Sequence, residues 1–340
     1  MLNHKCVECG VSFYMGHQGY LFVKTLSPLP HPLEKHNGQW YYLPYESLEE
    51  LEKSLLQLQQ ELGDLFEHIK GGLSTTEERP YITFPLNLLL MRIVQRDVVN
   101  VIQNGELMSF IQPIISLQKN DELYGYESLL RTGGNHSITP GQLFSTAEKT
   151  GMLSLLDQRA REVAIQARKN FIQPGVKSFI NFLPSTIYNP DFCLQHTFHL
   201  VTQYNIDPAD LVFEVVETEK IEDINHLKNI LYTYKREGMK VALDDVGAGF
   251  STLETLKMLQ PDYVKIDRHY VDHCDQISEK QSFLAQVMGI AKDLGIIVLA
   301  EGIERKEELE YCREIGIDLA QGYYIGKPAL PSNIFIYGGK

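Results

Sequence analysis

LVFEVVET (211–218), KVALDDVG (240–247), DYVKID (262–267) and IIVLAEGIE (296–304) decide the fold. Each is an apolar, mostly β-branched run that closes on charged residues: Glu214 and Glu217, Asp244 and Asp245, Lys265 and Asp267, Glu301 and Glu304. YGYESLLR (124–131) with Glu127, KSFINFL (177–183) with Asn181 and LAQGYY (319–324) with Gln321 repeat the pattern. An acid buried in such a run without a partner is costly. The repetition implies strands converging on a common charge, most simply a divalent metal.

Between these runs lie helical patterns near 194–205, 222–237, 251–259, 279–294 and 305–315. A long amphipathic helix is expected over 147–171, stopped by Pro174–Gly175. Such alternation predicts a parallel sheet with right-handed crossovers. Roughly eight strands with about six helices fit a closed (β/α) barrel better than an open sheet. FIQPIIS (110–116) and YGYESLL (124–130) are separated by hairpin spacing, which makes the front of the barrel irregular. In such barrels function gathers at the C-terminal strand ends, so these polar residues should share one mouth.

The first 90 residues have a different texture. GYLFVKT (19–25) and QWYYLPY (39–45) read as a small antiparallel pair. Leu48, Leu51, Leu55, Leu58, Leu62, Leu65 and Phe66 recur at helical spacing over 47–70, with Ser47 and Glu50 as a capping box. That helix is expected to pack on the barrel, with a signalling or dimer role as the other reading. Gly71, Gly72 and STTEERP (74–80) read as the hinge. ITFPLNLLLMRIV (82–94) is expected to pack as a helix or linker against the main domain; it is too short and too interrupted to span a membrane. A small α+β segment over 1–90 and a barrel domain over 91–340 follow. Cys6 and Cys9, with His4 and His17 near, offer either a zinc site or free thiols.

The net charge of −13 argues against a DNA or RNA polymer as partner. It leaves a nucleotide substrate open, since bound cations neutralise phosphate locally. The start of the chain shows no secretory signal, and scattered single cysteines fit a reduced cytoplasm.

Glu, Asp and Asn are hard oxygen donors suited to Mg²⁺, Mn²⁺ or Ca²⁺. Adjacent strand residues point opposite ways, so Asp244 and Asp245 can share a site only if the strand ends there; VGAG favours such an ending. One carboxylate could then bridge two cations, which would clamp the attacking and leaving oxygens of phosphoester hydrolysis. Lys265 would orient or help deprotonate the water, or stabilise phosphate charge.

From about residue 95 to 335 the chain resembles the EAL domain family of cyclic di-GMP phosphodiesterases. FIQPI (110–114), ESLLR (127–131), AEKTG (147–151), FINF (179–182), FEVVET (213–218), DDVGAGFSTL (244–253), PDYVKID (261–267), AEGIE (300–304) and QGYYIGKP (321–328) carry the likeness, in family order. The resemblance implies a modified TIM (β/α)8 barrel whose first strand is antiparallel. It implies hydrolysis of cyclic di-GMP to linear pGpG with two cations, Mg²⁺ or Mn²⁺, Ca²⁺ being expected to inhibit, and a homodimer. By position Glu127, Asn181, Glu214, Asp244, Asp245 and Glu301 match the metal ligands, the last two acids also counting as catalytic. Lys265 matches the lysine near the water, and Glu217 the glutamate anchoring the loop after the paired aspartates. Gln112, Leu129 and Arg131 match substrate contacts; Asp267, Glu304 and Gln321 match further active-site polar positions. Ser128 replaces the family's alanine, Val216 a frequent threonine, and Val246, Ala248 and Phe250 change the loop after the aspartates. These departures bear on regulation and rate more than on metal binding. The other reading is a receptor that binds cyclic di-GMP and signals to a partner; occupation of every acidic ligand position favours the enzyme.

Overall fold

A computed structural model describes residues 15–25, 29, 33–134, 138–216, 223–247 and 253–333. His4, Cys6, Cys9 and Glu217 lie outside the described residues. The chain divides into two compact units: Met1–Glu106 with Gly134–Leu156, and Leu107–Gly133 with Asp157–Lys340.

The first unit is built on a five-stranded antiparallel sheet. Its strands are β1 (Gly19–Lys24), β2 (Glu34–Asn37), β3 (Trp40–Tyr45), β4 (Lys70–Ser74) and β5 (Phe84–Pro85), in the order β2-β3-β1-β4-β5. The two aromatic runs pair antiparallel as expected, Gly19 opposite Tyr45 and Leu21 opposite Leu43. Strand alternation sends Leu21, Val23 and Leu43 to one face, where they join Leu51, Leu55 and Leu58 of the helix Leu48–Leu62. Leu86, Leu89, Leu90 and Ile93 of the helix Leu86–Val94 complete the same core. Both helices therefore contribute apolar faces to the core on this sheet. Ser47 caps the first helix, accepting from the Glu50 N–H at 3.2 Å, while the Glu50 carboxylate accepts from Glu46 N at 2.8 Å. Gly71 and Gly72 lie inside β4. A Cβ on Gly72 would stand 2.3 Å from Ile82 O, so glycine serves close backbone approach there and not a hinge.

The second unit holds a closed eight-stranded barrel. Its strands are β6 (Leu107–Ser116), β7 (Glu122–Thr132), β8 (Lys177–Phe182), β9 (Leu211–Val215), β10 (Lys240–Val246), β11 (Tyr263–Ile266), β12 (Ile297–Ala300) and β13 (Leu319–Gln321). Helices connect β7 through β13, and those neighbours pair parallel. β6 runs antiparallel to both β7 and β13. The cause is local: β6 and β7 are joined by a tight turn in which Asn120 and Asp121 adopt left-handed φ of 53° and 61°. A turn that short can return only an antiparallel strand.

The helix expected over 147–171 is two helices, Pro140–Lys149 and Leu153–Phe171. At the break the Thr150 hydroxyl donates back to Thr146 O at 2.6 Å, competing with continued helix. Outward-facing strand residues such as Phe213, Leu243 and Val298 pack with Leu227, Ile230, Tyr234, Leu284 and Val287 from the surrounding helices. Among the described residues no helix is long and apolar enough to cross a membrane.

The barrel interior is layered. Ile114, Phe179, Val212, Ala242, Tyr263, Leu299 and Leu319 form an apolar floor. Two residues further along β8 to β13 come Asn181, Glu214, Asp244, Lys265, Glu301 and Gln321. On β6, which runs the other way, the step is two residues back, to Gln112. The period of two thus lifts a polar ring directly above the floor.

Candidate metal centre

Lys265 stands at the middle of that ring, almost fully buried at 1% exposure. Its Nζ lies 2.8 Å from Glu301 Oε1, 3.0 Å from Asp244 Oδ1, 3.2 Å from Glu214 Oε2 and 3.5 Å from Glu127 Oε1. Four carboxylates, three on strands β7, β9 and β10 and one immediately after β12, therefore converge on one ammonium. Burial alone would depress the lysine pKa, but Asp244, Glu127, Glu214 and Glu301 together hold it well above its ordinary value. Burial pushes Glu214 and Glu301 well above the carboxylate range, against the pull of Lys265, and raises Asp244 in the same way.

The amides of the ring orient Glu127. Asn181 Nδ2 donates to its Oε1 at 3.2 Å and Gln321 Nε2 to its Oε2 at 2.8 Å. Gln112 lies opposite Glu127 in the β6–β7 register and donates to Gly326 O at 3.0 Å.

The paired aspartates reach one site by a route the sequence reading did not foresee. β10 does not end at Asp244 but continues to Val246. Its register with β11 slips between Leu243 and Val246, and Asp245 takes a left-handed φ of 49°. This bulge breaks the alternation that would send Asp245 away. Oxygens of Asp244, Asp245 and Glu301 then lie within 4.8 Å of one another, and Asp245 N donates to Asp244 Oδ1 at 3.0 Å.

The donors fit divalent cations. They are carboxylate and amide oxygens, hard ligands of the class that Mg²⁺ and Mn²⁺ take. Four acids, Glu127, Glu214, Asp244 and Glu301, face one ammonium, with Asp245 beside two of them, a surplus of negative charge that burial makes costly. Among the described residues, buried Glu214 Oε1 has no hydrogen-bond partner. A satisfied native core rarely leaves a carboxylate oxygen so, and a cation would meet it.

The remaining sequence-predicted residues are placed as follows. Leu129 and Arg131 lie on β7 beyond Glu127, with the Arg131 guanidinium 5.4 Å over the Phe110 ring and donating to Leu130 O at 2.7 Å. Asp267 caps the short helix Arg268–Val271, accepting from His269 N at 2.9 Å. Glu304 pairs with Arg268 at 3.0 Å on the surface. The contacts of these last two residues thus lie outside the carboxylate cluster.

Sequence reasoning missed Asp157. It is buried beside Arg161, one helical turn on, and accepts from Leu183 N at 3.0 Å and Thr186 Oγ1 at 2.8 Å. It therefore anchors the turn two residues after Asn181. The only signal was an acid and an arginine four apart on an apolar helix, which reads as a surface pair. A second acidic cluster, Asp272, His273 and Glu308, is explained without metal: Glu308 accepts from the backbone N–H groups of His273, Glu304 and Arg305.

Comparison with known proteins agrees with this geometry. The model of the EAL domain family matches residues 94–328. PdeG of Escherichia coli K12, a probable cyclic di-GMP phosphodiesterase, is 34% identical over 234 residues, covering 67% of this chain and 45% of PdeG. RocR of Pseudomonas aeruginosa, a cyclic di-GMP phosphodiesterase, is 27% identical over 245 residues, covering 71% of this chain and 62% of RocR. The chain thus spans less than two thirds of these curated relatives. The crystal structure of a standalone EAL protein from Vibrio cholerae O395 with c-di-GMP bound superposes with a TM-score of 0.61 at 32% identity, covering 68% of this chain and 97% of that one. With the family model spanning more than half its length, and the barrel and polar ring in place, this chain belongs to the EAL domain family.

Proposed function

We propose that this chain hydrolyses cyclic di-GMP to linear pGpG, lowering the concentration of the dinucleotide. The observation that carries this reading is the convergence of Glu127, Glu214, Asp244 and Glu301 on Lys265, with Asp245 beside them. The reading is supported by the EAL relatives described as cyclic di-GMP phosphodiesterases.

In this reading Glu127, Asn181, Glu214, Asp244, Asp245 and Glu301 hold two cations, Mg²⁺ or Mn²⁺. Such ions, when bound, polarise the phosphate and make water a nucleophile at neutral pH. The chain's own groups do the rest. Lys265, at the centre of these carboxylates, orients the water or helps deprotonate it, or donates to the phosphate as charge develops there. Arg131 presents a guanidinium fork to the second phosphate, while Gln112 and Leu129 line the cup. One water adds across one phosphodiester bond: its oxygen joins phosphorus and a proton goes to the departing sugar oxygen.

We assign this work to residues 91–340 and a regulatory input to residues 1–90, in a cytoplasmic homodimer. Glu217 is proposed to anchor the loop after the aspartates, with Asp267, Glu304 and Gln321 as further polar contacts. A zinc assay of the purified protein decides between a site at His4, Cys6, Cys9 and His17 and free thiols. The central test is incubation with cyclic di-GMP and Mn²⁺. Stoichiometric pGpG is expected; binding of the dinucleotide with no pGpG formed would replace the hydrolase by a receptor.

A further inference from the structure

Asp245 shares a site with Asp244 only while its backbone stays left-handed, at φ 49°. That region costs a residue with a side chain, though aspartate less than most, and neighbouring structure helps to hold the turn. The contacts that do so come from outside the ring.

Gly247, two residues on, has φ 109°, and its carbonyl accepts from the Tyr270 hydroxyl at 3.2 Å. The Tyr270 ring is stacked on Phe283, with centroids 3.8 Å apart and 22° between the planes. A Cβ at Gly247 would come within 2.3 Å of Tyr270 Cε2 and 2.7 Å of Phe283 Cζ. The two rings thus form a plate against which the turn rests, and only glycine fits. Tyr270 is itself fixed: its N–H donates to Asp267 O at 3.0 Å, and the Asp267 carboxylate caps the helix it sits on. One short run of chain, Lys265 to Tyr270, therefore places both the central ammonium and the support of the aspartate turn.

The geometry points to Tyr270 as a positioning residue that holds the Asp244–Gly247 turn in the shape presenting Asp245 to the cations, with Phe283 as its backing. This rests on the reading that Asp244 and Asp245 hold metal. It adds that cation occupancy is set from outside the ring, by a hydroxyl bonded to backbone. A defect in the support should weaken metal binding and spare the chemistry once metal is bound.

The test is Mn²⁺ binding by calorimetry to the full chain stripped with EDTA, alongside turnover at increasing Mn²⁺. Tyr270→Phe keeps the ring and loses the hydrogen bond; it should raise the Mn²⁺ Kd roughly threefold to tenfold, the range of one neutral hydrogen bond. Tyr270→Leu also loses the stack and should raise it further, with Phe283→Leu intermediate. In each variant kcat should return to within about twofold of wild type at saturating Mn²⁺. An unchanged Kd in Tyr270→Phe and Tyr270→Leu, even with a lowered Tm, would overturn the proposal. So would a kcat that stays low at saturating Mn²⁺. If the unaltered chain binds Mn²⁺ but forms no pGpG, the hydrolase reading fails while the Kd series still decides the role of Tyr270. If it binds no Mn²⁺, this proposal falls with the metal centre.

Discussion

At neutral pH one ammonium, Lys265, faces Asp244, Glu127, Glu214 and Glu301 within 3.5 Å. Its pKa is raised in the fold, so its stabilising contribution is complete below about pH 10.4, the unfolded value, and fades only as pH climbs through the higher folded one. In the metal-free chain it is therefore charged at neutral pH. Lys265→Met removes the charge and keeps much of the stem. The metal-free variant should lose at most about 3–5 kcal/mol, less where the stranded acids take up protons. Turnover should fall by roughly 10²–10³. Melts in EDTA and in Mn²⁺ check this: the gap to wild type should narrow with Mn²⁺, because cations supply the missing positive charge. An equal gap in both would count against the shared site. Glu127→Ala should abolish pGpG formation with the far-ultraviolet spectrum intact; it deletes a proposed ligand and leaves the Asn181 and Gln321 amides without their acceptor.

Among the elements, what was legible in sequence was whatever obeys the strand period. Phe179 and Asn181, Val212 and Glu214, Ala242 and Asp244, Tyr263 and Lys265 each stand two apart, so floor and ring follow from alternation alone. Asp245 breaks that period, and its inward turn depends on a bulge that adjacent letters cannot show. Asp157 was hidden for a related reason: its partners Leu183 and Thr186 are far along the chain. Gly71 and Gly72 misled because glycine marks both a hinge and a close contact. The contact reading can be checked. Gly72→Ala would force a Cβ against the Ile82 carbonyl at 2.3 Å, and backbone yields less readily than a side chain. A loss of roughly 1–3 kcal/mol is expected in denaturant titrations, with kcat of the full chain unchanged. Wild-type stability in Gly72→Ala would restore the hinge.

For the molecule as a whole, the proposed metal centre makes protons and dications compete for the same oxygens. Glu214 and Glu301 titrate well above an unfolded carboxyl, and Asp244 moves the same way, because burial opposes their ionised forms. For raised groups the stability contribution is complete below about pH 4 and is lost as pH rises toward the folded values. In EDTA these acids therefore destabilise the chain progressively toward neutral and alkaline pH. A cation held at the proposed centre would act with the opposite sign. It binds the ionised oxygens, so fewer protons must leave as pH rises and its affinity grows. At a hundredfold excess over Kd it adds about 2.7 kcal/mol to folding. The difference between Tm in Mn²⁺ and Tm in EDTA should thus widen from about pH 5 to about pH 8. Comparing the two conditions at each pH cancels every titrating group outside the site, including most of the acids behind the net charge of −13. Glu214→Gln supplies the control. Its carboxamide cannot titrate, so the difference should be smaller and its slope with pH shallower. A difference flat with pH in the wild type, or a slope untouched by Glu214→Gln, would show that Mn²⁺ stabilises the chain at some other place.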